Sequence, residues 1–252
     1  QLLGDATRPR DVDEVINYVR AMNLGLERLA ELPVSVRLIR EIHENLMRGV
    51  RGGRLTPGEL RRSQNWIGPA GCTLAEATFL HASDELPPLL KIGLVHAQFE
   101  TIHPFLDGNG RVGRLLVTFL LTECGILHKP VLYLSHFLKR NRAAYYDHLQ
   151  AVRDRGDWEA WLAFFGRGVS EVSAEASDTA RRILALREAH RTAITGGLGR
   201  SAGNGHKVLE SLFDRPIVSV PEVKAWTGTT YAAANNLVAR FVDLGILEEV
   251  TG

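Results

Sequence analysis

His103-Pro104-Phe105-Leu106-Asp107-Gly108-Asn109-Gly110-Arg111-Val112-Gly113-Arg114 runs without a break into Leu115-Leu116-Val117-Thr118-Phe119-Leu120-Leu121, and this junction of a polar loop with an apolar run decides the fold. Residues 112–124 are apolar on nearly every side, which predicts the buried central helix of a bundle. Pro104 forces a non-helical loop ahead of that helix, and Gly125 stops it.

The flanking segments supply the rest of a helical bundle. Val12, Val15, Ile16, Val19, Met22, Leu26 and Leu29 recur at helical spacing and predict an amphipathic helix over 12–30. Pro33 ends it, and Ser35 caps a second helix carrying Val36, Ile39, Ile42, His43 and Leu46. Arg51-Gly52-Gly53-Arg54 and Pro57-Gly58 mark a loop, after which an irregular stretch leaves room for a short strand or hairpin over 72–79. A helix over 85–100 leads to the loop at Pro104. Helices are expected over 135–153 and 157–190, separated by Gly156. Trp158, Trp161, Phe164 and Phe165 form a stripe at helical spacing that reads as core.

Residues 195–205, rich in glycine and small polar side chains, read as a linker. A separate pattern follows: helix 206–213, a short strand at Pro216-Ile217-Val218-Ser219, helix 221–226, a turn at Gly228, helix 230–244 and a short strand over 246–250. That is the order of a winged helix-turn-helix. Its candidate reading helix would present Thr229, Thr230, Tyr231, Asn235 and Asn236. Over residues 207–252, however, four basic residues face six acidic ones, the wrong sign for strong phosphate binding. A protein-docking or dimerisation role is favoured, with DNA binding as the alternative.

With 45% hydrophobic and 23% charged residues, the 252-residue chain has the composition of a soluble globule. A formal net charge of +1 gives it no overall attraction for nucleic acid or an anionic membrane. Cys72 and Cys124 match no metal-ligand spacing and make no disulfide framework, so a reducing compartment is expected. Residues 1–10 lack the pattern of a signal peptide, and no apolar run is long enough to span a bilayer. The expectation is a cytoplasmic protein with no membrane partner.

Chemistry concentrates in the opening stretch. Gly108 and Gly110 permit positive φ and close approach of a ligand to the backbone. They stand where a buried helix begins, so free N–H groups and the positive helix end converge on a cradle suited to phosphate. Arg111 and Arg114, three apart on the first turn, suit a polyphosphate better than a single carboxylate. Asp107 would repel phosphate unless a cation lay between them, and Mg²⁺ takes one or two carboxylates plus phosphate oxygens. His103 is the group to accept a proton from an attacking hydroxyl. Each feature alone reads as an ordinary turn; their conjunction does not. The other histidines, His43 and His96 among them, read as structural or surface residues, and Arg140, Arg142, Arg153 and Arg155 as a solvated face.

The run resembles the signature of the Fic family, His-x-Phe-x-Asp/Glu-Gly-Asn-Gly-Arg-x-x-Arg, at every specified position. Arg51-Gly52, Arg61 with Ser63-Gln64-Asn65-Trp66-Ile67-Gly68, His96 with Gln98-Phe99-Glu100 and Ile102, and Tyr145-Tyr146 resemble its wider pattern. The resemblance covers residues 11–169, and the tail is similar to that of a bacterial subgroup with a winged helix. It implies an all-α, Fic-type helical bundle with a small β-hairpin flap, plus a C-terminal winged helix-turn-helix. The domains expected are an N-terminal remnant at 1–10, the Fic domain with flanking helices at 11–194, the linker at 195–205 and the winged helix at 206–252.

The activity implied is transfer of AMP from Mg·ATP to a Ser, Thr or Tyr hydroxyl of a target protein, with self-modification and homodimer formation as further expectations. The same cradle leaves another nucleotide or phosphate-containing donor open. In this resemblance His103 is the base and Asp107 holds Mg²⁺. Gly108, Asn109 and Gly110 bind the α- and β-phosphates, and Arg111 and Arg114, with Val112 and Gly113 between them, position the β- and γ-phosphates. Tyr146 resembles the residue that packs near the adenine. Many relatives also carry an inhibitory helix, Ser/Thr-x-x-x-Glu-Gly/Asn, which nothing in residues 1–10 matches. Residues 79–84 are shorter than the resemblance implies for the stretch after the flap.

Overall fold

A computed structural model of the chain describes residues 10–50, 55–62, 86–130 and 133–250, and every regular element among them is helical. The hairpin expected over 72–79 and the short stretch 79–84 lie outside the described residues. The chain divides into two compact units, Gln1–Ala176 and Ser177–Gly252.

In the first unit the expected central helix is α4, Asn109–Glu123, whose Val112, Leu115, Leu116, Val117, Phe119, Leu120 and Leu121 are all buried. Around it pack α1 (Arg10–Leu29), α2 (Val36–Leu46) and α3 (Pro88–Ile102). The spacing of Leu38, Ile39, Ile42 and Leu46 places one apolar face of α2 inward. Ser35 caps α2 by accepting the Leu38 N–H at 3.4 Å. Close approach of α1 to α4 depends on Gly25, where an added Cβ would lie 2.2 Å from the Phe119 ring.

The single helix expected over 135–153 is instead two, α5 (Leu134–Arg140) and α6 (Arg142–Arg155). Asn141 breaks them: its φ of −107° and ψ of 36° are not helical, and its side-chain amide donates to the Phe137 carbonyl at 3.0 Å. That local bond competes with the helical ladder. On α7 (Trp158–Leu198), Trp161, Phe164 and Phe165 are buried in the first unit's core, as the stripe predicted, and the Trp161 indole donates to the Gly93 carbonyl at 2.9 Å.

Residues 195–205 depart from the expected linker. They hold the end of α7, a 3-10 turn at Gly199–Ser201 and the start of α8, Ala202–Asp214. Gly197 and Gly205 serve close packing here. An added Cβ on Gly205 would lie 2.5 Å from Leu198 and 2.8 Å from Ile194. Ile194 and Leu198 share a core with Val208, Leu209, Val223, Ala234, Leu237 and Phe241.

The rest of this second unit is α9 (Val220–Thr227) and α10 (Tyr231–Asp243), joined by a turn at Gly228 with φ of 68°. Ser219 and Glu222 close a capping box on α9. Neither expected strand is present: residues 216–219 and 246–250 pair with nothing as strands. A strand is stabilised by a ladder partner and a buried face, whereas Ile217 is 81% and Val250 82% exposed. No helix among the described residues is long and apolar enough to cross a membrane.

Candidate active site

Pro104 disfavours the helical conformation at the residue before it, so α3 ends at His103 in the left-handed region, with φ of 51° and ψ of 61°. A non-glycine residue there costs about 1–2 kcal/mol, and two arginines hold the turn in place. Arg61 donates to the carbonyls of His103 and Ile102, both at 2.7 Å, while the Pro104 carbonyl accepts the Arg61 N–H at 2.9 Å. Arg153, from α6, donates to the Glu100 carbonyl at 2.9 Å. Cations on the last carbonyls of a helix also complement its negative end.

This turn fixes the chemistry of the imidazole. His103 Nδ1 lies 3.1 Å from the Glu100 carbonyl oxygen. A carbonyl can only accept, so Nδ1 carries the proton and Nε2 keeps its lone pair. Burial, together with the guanidiniums of Arg153 and Arg61, holds His103 below the usual histidine value, against the opposing pull of the Glu100 bond. The ring is therefore neutral near pH 7 and able to accept a proton.

The loop after His103 is braced from inside. Asn109, buried at the first position of α4, accepts the Phe105 N–H at 2.8 Å and donates to the Phe105 carbonyl at 2.7 Å. Its side chain is spent on the loop. Gly108 takes φ of 80°, and its N–H is held by Asp107 Oδ1 at 2.6 Å. His43, from α2, underpins the same turn: Nδ1 accepts the Gly58 N–H at 2.8 Å, so Nε2–H donates to the Asp107 carbonyl at 3.0 Å. Its ring stacks on Phe105 with centroids 3.8 Å apart.

Both arginines of the first turn are half-buried. Arg111 Nη1 lies 3.5 Å from Glu14 of α1, and its Nη2 lies 4.0 Å from Asp107 and 3.4 Å from the Met47 sulfur. Nη1 has no hydrogen-bond partner of good geometry. Arg114 makes no hydrogen bond or ion pair among the described residues. One proton acceptor, a glycine-opened helix start and two under-satisfied guanidiniums thus occupy one loop and the first turn of α4. Such a set can hold an anionic group and take a proton from a nucleophile.

Known proteins resemble this chain in sequence and in fold. The family model described as the Fic/DOC family matches residues 33–121, which take in the whole of the loop and nearly all of α4. The likeness to that family model is confined to those residues. The chain is 29% identical over 174 residues to the protein adenylyltransferase Fic of Drosophila grimshawi, covering 62% of this chain and 33% of that one. It is 31% identical over 167 residues to the protein of the same name from Culex quinquefasciatus, covering 61% and 30%. The chain thus spans about a third of the length of these curated relatives.

Among solved structures, a Fic family protein from Desulfovibrio desulfuricans G20 has a TM-score of 0.56 at 21% identity, covering 96% of this chain and 70% of that one. Fic-1 of C. elegans has a TM-score of 0.55 at 20% identity, covering 72% and 56%. These two likenesses concern the fold.

Beneath the loop lies a polar layer built on His96, a residue expected to be structural or at the surface. His96 is fully buried; its Nδ1–H donates to the Gly113 carbonyl at 3.1 Å and its Nε2 accepts the Tyr145 hydroxyl at 3.0 Å. Burial lowers its pKa to about 4, against the Gly113 bond. Folded His96 stays neutral, so as pH falls from the ordinary 6.5 towards 4 the unfolded chain binds a proton that the folded one does not. Its contribution to stability is complete above that window and lost within it. Relative to His96→Gln, the native chain is expected to lose about 3 kcal/mol between about pH 7 and pH 4 in urea unfolding. A pH-independent difference between the two would refute the buried neutral ring.

Arg153, expected on a solvated face, is instead half-buried and bonded to Glu100 and Thr101. Arg140 does face solvent, in ion pairs with Glu171 and Glu175. Tyr146 is 55% exposed; its ring meets Tyr145 and Arg142, not the loop. His43, Glu100 and Arg153 are the site residues that reasoning about sequence left unassigned. The positive φ of His103 had a visible signal in Pro104, but no spacing pattern linked Arg153 to it.

Proposed function

We propose that the chain is a protein adenylyltransferase, which moves AMP from Mg·ATP to a Ser, Thr or Tyr hydroxyl of a target protein and releases pyrophosphate. The observation that carries this reading is the unprotonated Nε2 of His103, on the loop that opens α4 at a glycine. The names of the Drosophila and Culex relatives support it.

The target hydroxyl gives its proton to His103 Nε2 as its oxygen bonds to the α-phosphorus, and the bond from that phosphorus to the bridging oxygen breaks. Pyrophosphate leaves with the electron pair. Gly108, Asn109 and Gly110 bind the α- and β-phosphates through the backbone N–H groups of Asn109 and Gly110, with the Gly108 N–H held by Asp107 and the Asn109 side chain kept as the loop's brace. Arg111 and Arg114 carry the β- and γ-phosphates, and the turn through Val112 and Gly113 sets their spacing. Positioning and charge neutralisation supply most of the barrier lowering. Tyr146 stands as the side chain beside the adenine.

Asp107 fits Mg²⁺. Its carboxylate is 40% exposed at the helix start, and Oδ1 is engaged by the Gly108 N–H. Mg²⁺ there would neutralise phosphate charge with one carboxylate and phosphate oxygens as ligands. In the second unit, the turn between α9 and α10 suits a winged helix-turn-helix. Its acidic balance favours docking or dimerisation over DNA, and the flap is proposed for residues 72–79.

Incubating the chain with α-labelled ATP, Mg²⁺ and a host lysate should label protein bands with AMP, identified by mass spectrometry. Self-labelling would demonstrate the chemistry without the target. A panel of α-labelled GTP and UTP tests the base preference, and preferred transfer from either would overturn the choice of AMP.

A further inference from the structure

Glu100 is the one acidic side chain on α3 that the mechanism above leaves without a role, and its setting is unusual. Its side chain is 7% exposed, and Oε1 is buried with no hydrogen-bond partner. Desolvation of an ionised carboxylate on those terms costs several kcal/mol. Oε1 lies under the first turn of α4: an added Cβ on Gly113 would lie 2.5 Å from it. An added Cβ on Gly110 would lie 3.9 Å from Oε1 and 3.2 Å from Arg114 Nη1. Oε2 lies 3.9 Å from His103 Nδ1. The carboxyl thus sits beneath both the proton acceptor and the guanidinium that has no fixed partner.

The charged and titratable groups facing it can be named. On α3 are His96, neutral by burial, and His103; on α4 is Arg114; on α6 are Arg153 and the Tyr145 hydroxyl. Burial pushes Glu100 up to about 7, against the pull of Arg114 and Arg153. Arg114 and Arg153 are thus the cations that favour its ionised form, and Arg153 is already engaged with the Glu100 carbonyl. A polyphosphate arriving at the start of α4 claims the Arg114 guanidinium and adds negative charge nearby. Two anions sharing one cation in a poorly hydrated setting repel strongly, and the least costly relief is for the carboxyl to become neutral.

We propose that Glu100 is a positioning residue: ionised in the nucleotide-free protein, it attracts Arg114 through space beside Gly110, and it takes up one proton from solvent when a nucleoside triphosphate draws Arg114 to its phosphates. This rests on the nucleotide-binding reading above. Nucleotide affinity is then linked to pH. Because the bound form keeps a proton that the free form loses, ATP binding weakens as pH rises, by up to about tenfold per pH unit above about pH 7.

Calorimetric titration of the chain with ATP and Mg²⁺, in two buffers of unlike ionisation enthalpy, counts the protons taken up. The native chain and His103→Ala should both take up protons, which separates Glu100 from the histidine. Glu100→Gln should take up none and bind ATP with an affinity independent of pH, while Glu100→Asp restores the uptake. ATP binding by the native chain without proton uptake would overturn this inference alone, as would undiminished uptake in Glu100→Gln. Absence of ATP binding by the native chain would overturn the nucleotide reading and this inference with it. The native and His103→Ala titrations decide the matter even if Glu100→Gln does not fold.

Discussion

Replacing His103 with alanine is expected to lower transfer of AMP by about 10²- to 10⁴-fold, the range for loss of a positioned general base. The affinity for ATP should change far less. The reason lies in how His103 is held. Its Nδ1–H is committed to the Glu100 carbonyl, and its main-chain and neighbouring carbonyls are clamped by Arg61. The loop therefore keeps its course when the ring is lost. The phosphate-facing groups, which are the amides at the start of α4 and the two guanidiniums, belong to other residues. The check is label transfer from α-labelled ATP in parallel with ATP binding to the same preparation. Undiminished transfer would mean that another group takes the proton. Lost transfer with lost binding would mean that the ring is a structural brace.

Gly108→Ala should be the second most damaging change, through two independent penalties. At φ of 80° any Cβ is strained, which costs about 1–2 kcal/mol. The new Cβ would also lie 2.7 Å from the Met47 sulfur and 3.4 Å from the His43 ring. Met47 is fully buried and receives an Arg111 N–H, while His43 stacks on Phe105 and bonds to Asp107. Neither can yield without moving the loop, so overpacking adds about 1–3 kcal/mol. Loss of stability should come with at least about tenfold weaker ATP binding, since one misplaced hydrogen-bond donor to a charged group is worth about 1.5 kcal/mol or more. Gly110→Ala is the control. Its Cβ would press on the flexible end of the Arg114 side chain at 3.2 Å and meet Glu100 Oε1 at an ordinary 3.9 Å, so it should disturb ATP binding with little loss of stability. Thermal unfolding and ATP titration of both variants separate the two, and equal stability losses would contradict the distinction.

Much of the frame was legible because its causes are local. The α3–loop–α4 junction follows from Pro104, Gly108 and the apolar run after it, all read from adjacent residues. The Asn109 brace, four residues long, and the carbonyl three residues back that fixes the His103 tautomer are as local, yet Asn109 was expected on the phosphates and only the structure showed either bond. Where local reading failed, a bond or a packing partner intervened. Asn141 split one expected helix in two through its own side-chain bond. Gly197 and Gly205 let the chain pack closely where a flexible connection was expected. The strands expected in the second unit found no ladder to join.

By itself, the sequence determined the helix start, the glycines that open it and the residue types gathered there, because dihedral limits and i to i+4 hydrogen bonds act between near neighbours. The tertiary structure alone decided which polar groups meet: Arg153 at the Glu100 carbonyl across 53 residues, His43 at the Asp107 carbonyl across 64, and Glu14 beside Arg111. Ionic and desolvation energies depend on distance in space and depth beneath the surface. No spacing along the chain encodes either quantity.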